Sequence, residues 1–600
     1  MSIIFVIAVL IVATILFISN QLRADVVALM VLITLAASGV ITQQEAFSGF
    51  SSASVITIMA AFVITGAVNR TGLGQRFGIL LLRIVGQSPR RLLIVLVFAG
   101  GLLSLFMNNI AAAAVLMPVA VSATRHIKAS PTSVLLPMAF ATQLGGMATL
   151  LTTSNLVVSS TLVNQGIQGF NLLSFLPTGG PIALLGLIVL VVTAPFLLPA
   201  VSEHKPSISE EEVRISLADL YDLDRGMGVA QVLQDSPLAG YSLAASGLGL
   251  KYGITVLAII RSSGQIVRIP KPDEEIRNDD RLLFTPPLSG AILNTLGLEL
   301  QGAESWNEWL VGPRTRIVEV VVPPRSALEG KTLREIQFRS RFNMNVMSIW
   351  QNGQPMRENI EDLRLRVGDA LLLQGRQEPI RMLARGADLI LLSEESFQAP
   401  PRGKEVRAFI IIAASLIVAA LNLLPVAETL FLGGLLLILT GCLSMDEAYA
   451  SIDWRSVVLV GGMLPMGIAL TNTGAADLIA KHLSASLSQF GPLMLLAGFL
   501  LLTAILTQLI PGGSATPLVI VPIAITAAQQ IGADPRGFAM AVALMTSTSF
   551  LTAMAHPVNA LVMGPGGYRP RDYFRLGLPL VVFTFFMTLL IVPLFYPLSQ

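Results

Sequence analysis

The sequence predicts a polytopic α-helical membrane protein. It reads as two inverted repeats, each with five crossings and a re-entrant hairpin, separated by an α+β cytoplasmic insert of two similar domains. Three observations predict this. The chain of 600 residues is 53% hydrophobic and only 13% charged, with a mean hydropathy of +0.72, whereas a soluble chain carries roughly 25% charged residues. Of its 37 acidic residues only nine lie outside 203–405, which marks that segment as soluble. The apolar blocks on either side, 1–202 and 406–600, repeat one another. The net charge of +2 gives no reason to expect a nucleic-acid partner. The single cysteine, Cys442, lies in an apolar run and supplies neither a disulfide framework nor a thiolate metal site.

The first apolar run, 2–19, is long enough to span a bilayer at about 20 residues per crossing. It lacks a basic leader and a small-residue cleavage site, so it reads as a retained helix. The runs that follow in the first block are 25–43, 52–68, 92–124, 132–163 and 176–200. The second block gives 407–424, 427–443, 456–472, 492–527, 537–563 and 576–598. The fourth run in each block is too long for one span and too short for two. Loop formers break both, Asn108-Asn109 in one and Pro511-Gly512-Gly513-Ser514 in the other. A re-entrant helical hairpin fits, and backbone released from a helix at membrane depth needs protein or a cavity around it, which makes each break a site candidate.

The repeat is legible residue by residue. Asp25 and Glu428 each open an apolar run, and Glu45-Ala46-Phe47 answers Glu447-Ala448-Tyr449. At a spacing of 404, Met117-Pro118 answers Val521-Pro522, Thr142 answers Thr546 and Asn155 answers Asn559. Pro177-Thr-Gly-Gly-Pro181 then answers Arg575-Leu-Gly-Leu-Pro579. Five crossings per repeat invert the second relative to the first. With loop 69–91 in the cytoplasm, twelve basic residues fall in cytoplasmic short loops, and only Lys481 and Arg536 fall opposite. That asymmetry sets the orientation and puts 203–405 inside. Internal repeats in a membrane chain point first to a secondary transporter.

The insert is a tandem repeat at a spacing of about 90. Ser236-Pro-Leu-Ala-Gly-Tyr-Ser-Leu243 matches Ser326-Ala-Leu-Glu-Gly-Lys-Thr-Leu333, and Asp279-Asp280-Arg-Leu-Leu283 matches Gly368-Asp369-Ala-Leu-Leu372. Each unit reads as a strand, a short helix, then a β-hairpin and a closing strand. This resembles the C-terminal domain of potassium-conductance regulators, the TrkA-C or RCK-C module, in two copies over 211–297 and 314–387. The resemblance implies a dimerising module, hence a homodimer, that can bind small ligands. No glycine-rich dinucleotide loop precedes either copy, so no organic cofactor is expected.

The second block carries Ser549-Phe550, then Pro557-Val-Asn559, Gly564-Pro-Gly-Gly-Tyr568 and Asp572-Tyr-Phe-Arg575-Leu-Gly577. The first carries Gly145-Gly146-Met-Ala-Thr149 and Thr152-Thr-Ser-Asn155. These segments resemble the divalent anion:sodium symporter family (SLC13-like permeases), over about two-thirds of the chain. The inserted modules resemble its sulfate-associated branch. The family's hairpin tips carry Ser-Asn-Thr eleven positions before a proline. Here those positions hold Asn108-Asn109-Ile110 before Pro118 and Gly512-Gly513-Ser514 before Pro522, so the second tip loses its amide. The family's Thr-Pro at the second helix break is His556-Pro557 here.

The resemblance implies a sodium-coupled symporter working by an elevator mechanism, with sodium ions as transported co-substrate. It places substrate contacts at Asn108, Asn109, Thr152, Thr153, Ser514, His556 and Pro557. It places sodium at Asn108, Asn109, Asn155, Gly513, Ser514 and Asn559. Amide oxygens and frayed carbonyls suit sodium, and half-helix N-termini suit an anion where no Lys or Arg lies near. The partners expected are a small inorganic or dicarboxylate anion and the lipid bilayer, in a bacterial inner membrane. Three rival readings remain: a dicarboxylate or other anion permease of the same fold, a cation channel or transporter gated by the insert, and a nutrient sensor on a transporter scaffold. No nucleotide loop, metal cluster or triad spacing speaks for an enzyme.

Overall fold

The computed structural model describes residues 2–19, 21–74, 76–77, 80, 88–127, 129–198, 227–285, 288, 290–301, 309–310, 315–324, 326–351, 354–357, 360–383, 388–392, 404–487, 491–513 and 515–598. The first block contributes α1 (Ser2–Ser19), α2 (Ala24–Ala37), α3 (Gln43–Ser48), α4 (Ala53–Thr71), α5 (Pro89–Leu103), α6 (Asn109–His126), α7 (Leu135–Gly146), α8 (Thr153–Asn164) and α9 (Leu176–Leu197). The second contributes α10 (Glu405–Ala420), α11 (Val426–Leu439), α12 (Met445–Ser451), α13 (Trp454–Asn472), α14 (Ala475–Leu487), α15 (Pro492–Leu509), α16 (Ala515–Gln530), α17 (Pro535–Thr546), α18 (Pro557–Gly566) and α19 (Pro570–Phe595). Among the described residues six helices are long and apolar enough to cross a membrane, and four shorter apolar helices accompany them. The chain is an integral membrane protein.

Local chemistry sets matching helix starts in the two blocks. Thr42 and Glu45 form a capping box at α3, and Ser444 and Glu447 form the same box at α12. Each satisfies amides that would otherwise be orphaned at the helix end. Asp25 and Glu428 lie in the first turns of α2 and α11, where an acid complements the helix dipole. α2 packs on α13, and α11 packs on α4, so the opening helices of the two blocks interlock.

The remaining helices are broken. α5 and α6 are two arms joined across 104–108, and α15 and α16 are joined across 510–514. α7 and α8 have twelve residues each, about 18 Å at about 1.5 Å per residue, so neither crosses a hydrocarbon layer about 30 Å thick by itself. α17 with twelve residues and α18 with ten stand in the same relation. All twelve residues of α7 are buried. A helix apolar on every side belongs at the centre of a bundle, and Phe140 of α7 meets Phe550 with ring centroids 4.8 Å apart. By contrast α9 and α19 present Phe196 (83% exposed) and Leu594 (75% exposed) outward, as lipid-facing helices do.

One glycine in each block lets the last helix touch its broken neighbour. A Cβ on Gly179 of α9 would overlap the Met147 carbonyl oxygen, and one on Gly577 of α19 would lie 2.5 Å from the Phe550 carbonyl oxygen. Met147 and Phe550 are the first non-helical positions of their breaks or close to them. Gly577→Val must push α19 off the second break. It is expected to reduce substrate uptake by tenfold or more, on the order of the 1–3 kcal/mol that overpacking costs. Gly180→Val, whose Cβ would meet only the Leu176 side chain, should leave uptake close to that of the parent.

The insert contains two five-stranded antiparallel sheets. The first comprises β1 (Gly228–Val232), β2 (Thr255–Ile260), β3 (Ile266–Arg268), β4 (Arg281–Thr285) and β5 (Leu298–Gln301), in the order β3-β2-β4-β1-β5. The second comprises β6 (Thr315–Val321), β7 (Met344–Gln351), β8 (Gln354–Met356), β9 (Ala370–Arg376) and β10 (Ile390–Leu391), in the order β10-β6-β9-β7-β8. The order is the same when read strand for strand. The bulges match too, falling between Val256 and Ala258 and between Val346 and Ser348. Each unit differs from the sequence expectation in two respects. A second helix follows the third long strand, Gly290–Thr295 in one unit and Gln377–Leu383 in the other. A fifth strand then pairs on the open edge of β1 or β6, so β5 and β10 run past the expected ends at 297 and 387. Residues 211–226, 314 and 384–387 of the expected domains lie outside the described residues.

The two units differ at one buried carboxylate. In the first, Asp280 accepts from Arg261 at 2.6 Å and from the Arg277 backbone amide at 2.8 Å. In the second, Asp369 accepts from the Arg366 amide at 2.8 Å, but the side-chain donor is the neutral Gln351 at 2.8 Å. Burial raises the Asp369 carboxyl from the usual range to about 6, with the two hydrogen bonds and the charge of Arg366 opposing the shift. Between pH 3.8 and about 6 the folded unit therefore holds a proton that the unfolded chain has released. The stability this carboxyl contributes is complete below 3.8 and is lost as pH rises through about 6. Thermal melts of the full chain should show that loss, and Asp369→Asn should remove this component of the pH dependence. A parent and variant with parallel profiles would refute the assignment.

The second unit sits directly on the membrane block. Val321 and Leu392 join the apolar core of the helices. Arg125 at the end of α6 reaches Glu319 of β6 at 2.7 Å. At the turn before β9, a Cβ on Gly368 would overlap the Ala560 carbonyl of α18, and one on Gly564 of α18 would overlap the Gly368 carbonyl. Arg455 at the start of α13 meets Glu329 at 3.3 Å.

Candidate functional site

The two hairpin breaks and the two helix breaks meet. Asn108 caps α6, its Oδ1 accepting from the Ile110 amide at 2.9 Å. Asn109 Oδ1 accepts from Ser104 Oγ, which closes the tip from the α5 side. Asn109 then lies against the first helix break: a Cβ on Gly146 would be 2.8 Å from Asn109 Oδ1 and 2.9 Å from Thr152 Cγ2. Thr152 caps α8 by accepting from the Asn155 amide at 3.4 Å, and Thr153 and Ser154 follow, half-buried, in its first turn.

The second tip answers this from the other repeat. Gly512 and Gly513 have φ of 87° and 68°, a left-handed pair that glycine adopts without a side-chain penalty. The Gly512 amide donates to the Ala555 carbonyl at 3.0 Å. The Gly513 carbonyl accepts from Ser154 Oγ at 3.4 Å, which joins the tip of one repeat to the half-helix of the other. Ser514 lies outside the described residues. His556 caps α18, with Pro557 at its first helical position. Its Nδ1 accepts from the Val558 amide at 3.2 Å, so the ring proton sits on Nε2, which is left as a donor.

Four helix N-termini, those of α6, α8, α16 and α18, thus open into one region, and α5, α7, α15 and α17 end there. No Asp, Glu, Lys or Arg occurs in 104–110, 143–159, 508–516 or 546–559. The electrostatics therefore rest on dipoles. Positive helix starts suit an anion and negative helix ends suit a cation, side by side.

The two repeat-related asparagines sit alike but end differently. Asn155 Nδ2 donates to the Thr149 carbonyl at 2.6 Å and the Gly146 carbonyl at 3.3 Å. Asn559 Nδ2 donates to the Ser549 carbonyl at 2.6 Å and the Thr552 carbonyl at 3.0 Å. Each amide thereby pins its own break and turns its oxygen the other way. Asn155 Oδ1 is buried without a hydrogen-bond partner. That is a fit for a cation, since a buried oxygen left unpaired costs roughly 1–3 kcal/mol. Asn559 Oδ1 instead accepts from Gln143 Nε2 at 2.8 Å, so in this conformation a cation there would have to displace Gln143.

The sequence reading missed three side chains at this site. Gln508 donates to the Thr548 carbonyl at 2.7 Å and accepts from the Leu551 amide at 2.9 Å, tying the second hairpin to its break. Ser104 bonds Asn109 in the first hairpin and stands 404 residues before Gln508, but unlike side chains at that spacing give no match in the sequence. Gln143 is hidden for the same reason, because the position 404 residues on is Ser547.

The sequence profile of the citrate transporter family matches residues 14–543. The chain belongs to the citrate transporter family. Its relatives include the uncharacterized transporter sll0640 of Synechocystis sp. (strain ATCC 27184 / PCC 6803 / Kazusa), 33% identical over 98% of this chain and 96% of that protein. The uncharacterized transporter YfbS of Escherichia coli (strain K12) is 32% identical over 99% of both. Sodium/sulfate cotransporter 2 of Chlamydomonas reinhardtii is 23% identical over 58% of this chain and 41% of that protein. This citrate transporter family member is accordingly a transporter and not an enzyme, and these relatives accord with the symporter resemblance of residues 549–577.

Proposed function

We propose that the protein is a sodium-coupled symporter of a small divalent oxyanion, with sulfate ahead of dicarboxylates. The observation that carries this reading is the meeting of four helix N-termini in a region without charged side chains, beside an unpaired buried Asn155 oxygen. The anion is held by the starts of α6, α8, α16 and α18, with Asn108, Asn109, Thr152, Thr153, Ser514, His556 Nε2 and the turn at Pro557 around it. Sodium is held by amide and backbone oxygens at Asn108, Asn109, Asn155, Gly513, Ser514 and Asn559. Each ion lowers the cost of placing the other, so sodium raises anion affinity and the anion raises sodium affinity by the same factor. The relatives that are sodium/sulfate cotransporters support sulfate, and the citrate transporter family keeps citrate as a competing substrate.

The two blocks act as inverted repeats. The interlocked α2, α13, α4 and α11 form the fixed part, and the hairpins with the broken helices α7, α8, α17 and α18 form the moving part of an elevator. The insert is a pair of TrkA-C-like domains on the cytoplasmic side of a bacterial inner membrane, serving dimerisation and regulation. Labelled sulfate uptake into proteoliposomes, with and without an inward sodium gradient, tests the reading. Succinate, thiosulfate and molybdate serve as competitors. Sodium-dependent sulfate uptake is the expected result. Sodium-dependent uptake displaced by succinate alone would move the substrate to dicarboxylates, and no flux with sodium or protons would favour the sensor.

A further inference from the structure

Gln143 is buried in the middle of the membrane block, 1% exposed, on a helix with no exposed residue. Burying an amide there is costly unless each end is satisfied. Its Nε2 donates to Asn559 Oδ1 at 2.8 Å, a contact across 416 residues from the first repeat to the second. The direction of that bond is fixed. Asn559 Nδ2 is committed to the Ser549 and Thr552 carbonyls, so only its oxygen can face Gln143. Gln143 must then offer its NH2 to Asn559, and its Oε1 points away with no hydrogen-bond partner.

A second unpaired amide oxygen belongs to a side chain that holds the end of the same helix. Asn155 holds the Gly146 carbonyl, one turn of α7 beyond Gln143, and its own Oδ1 is also buried and unpaired. Both oxygens accompany the C-terminal end of α7, where the helix dipole is negative. Two neutral oxygens and the negative end of a helix, without any carboxylate, suit a monovalent hard cation. A divalent ion would ask for more charge.

We propose that Gln143 is a ligand of the transported sodium ion, together with Asn155, and that its amide links this cation site to Asn559 of the second repeat. The inference rests on the symporter reading and goes beyond it in naming a ligand outside both breaks. The two ends of one side chain serve different tasks. Oε1 faces the cation, and Nε2 orients Asn559 and through it the second break. At this cation site Asn155 then serves sodium directly, while in this conformation Gln143 occupies the side-chain oxygen of Asn559. Occupancy of the cation site fixes Gln143, and this communicates to the start of α18, where His556 meets the anion.

The test uses the full chain, purified and reconstituted, with sodium chloride as the probe and choline chloride as the control. Gln143→Leu keeps the volume and removes both polar ends; Gln143→Glu keeps the oxygens. In the leucine variant the sodium concentration for half-maximal uptake should rise by about tenfold, the loss expected for one ligand. The order of anion competitors should stay as in the parent. The second readout is sodium-induced thermal stabilisation of the detergent-solubilised chain, which should be present in the parent, lost in Gln143→Leu and retained in Gln143→Glu. A leucine variant with unchanged sodium dependence overturns the proposal. So does a variant that loses uptake at every sodium concentration yet keeps the sodium-induced stabilisation, since Gln143 would then be only structural. A parent with neither sodium-dependent uptake nor sodium-induced stabilisation refutes the symporter reading itself.

Discussion

Replacing Asn155 with alanine is expected to cut sodium-driven uptake by at least about 30-fold while leaving the protein in the membrane. The estimate counts only its two donated hydrogen bonds, to the Thr149 and Gly146 carbonyls, at about 1 kcal/mol each, with about 1.4 kcal/mol per factor of ten. The loss of Oδ1 as a cation ligand adds to that figure. These bonds hold the broken segment between α7 and α8, and with it the start of α8 that the proposed anion site uses. Asn155→Asp separates the two parts of the effect. It keeps an oxygen toward the cation, loses both donors and places a charge among carbonyls. Uptake should fall in both variants, but the aspartate should retain a steeper dependence on sodium. The measurement is initial uptake against sodium concentration, normalised to protein in the vesicles. Parent-like uptake in Asn155→Ala would remove this residue from the site.

Undocking the second insert unit should raise the maximal uptake rate about fivefold, without changing anion preference. The unit touches elements on both sides of the proposed motion. It meets α6 through Arg125 and Glu319, and α18 through Gly368 and Ala560, while Glu329 reaches Arg455 on α13. A body that bridges moving and fixed parts must release one of them in each cycle. Removing about 1 kcal/mol from that step is worth about fivefold in rate. The Arg125–Glu319 pair is partly buried, so breaking it costs more than an exposed pair would. Gly368→Val is the stronger change, because its φ of 86° disfavours a side chain and its Cβ would overlap the Ala560 carbonyl. Arg125→Glu alters the same contact without touching the fold of the unit. Combining it with Glu319→Arg should restore the parent rate. A fall in uptake in Arg125→Glu would mean that the insert supports the transport fold instead of restraining it.

Much of the architecture was legible before any coordinate, for reasons that are local. A hydrocarbon layer demands long apolar runs, and a helix that must stop inside it needs residues such as Asn108-Asn109 or Gly512-Gly513 to stop it. Similar helix starts and breaks occur in both blocks, so a constant spacing exposed Asn155 and Asn559 as a pair, and α3 and α12 carry the same capping box. In the insert, alternation and turn residues marked the strands, but the edge strands β5 and β10 escaped. They are short and are stabilised by pairing with β1 and β6, and not by any pattern of their own.

What the sequence alone determined, then, is that this is a membrane transporter with two related halves, a paired soluble insert and four breaks in its helices. Those features follow from the length and composition of apolar runs and from the recurrence of one stretch of chain in another, with the family resemblance supporting the transporter reading. Tertiary structure decided the rest, because the rest consists of contacts between distant segments. Asn155 and Asn559 are the same residue at equivalent places, yet one amide oxygen is unpaired and the other is bonded. The difference is Gln143, which has no counterpart in the second half and reaches Asn559 only because α7 and α18 pack together. In the same way Gly368 and Gly564 are unremarked glycines until the insert is folded onto α18, where neither leaves room for a side chain. Hydrogen-bond satisfaction and close packing in a buried core are settled among neighbours in space, and those neighbours are not neighbours in sequence.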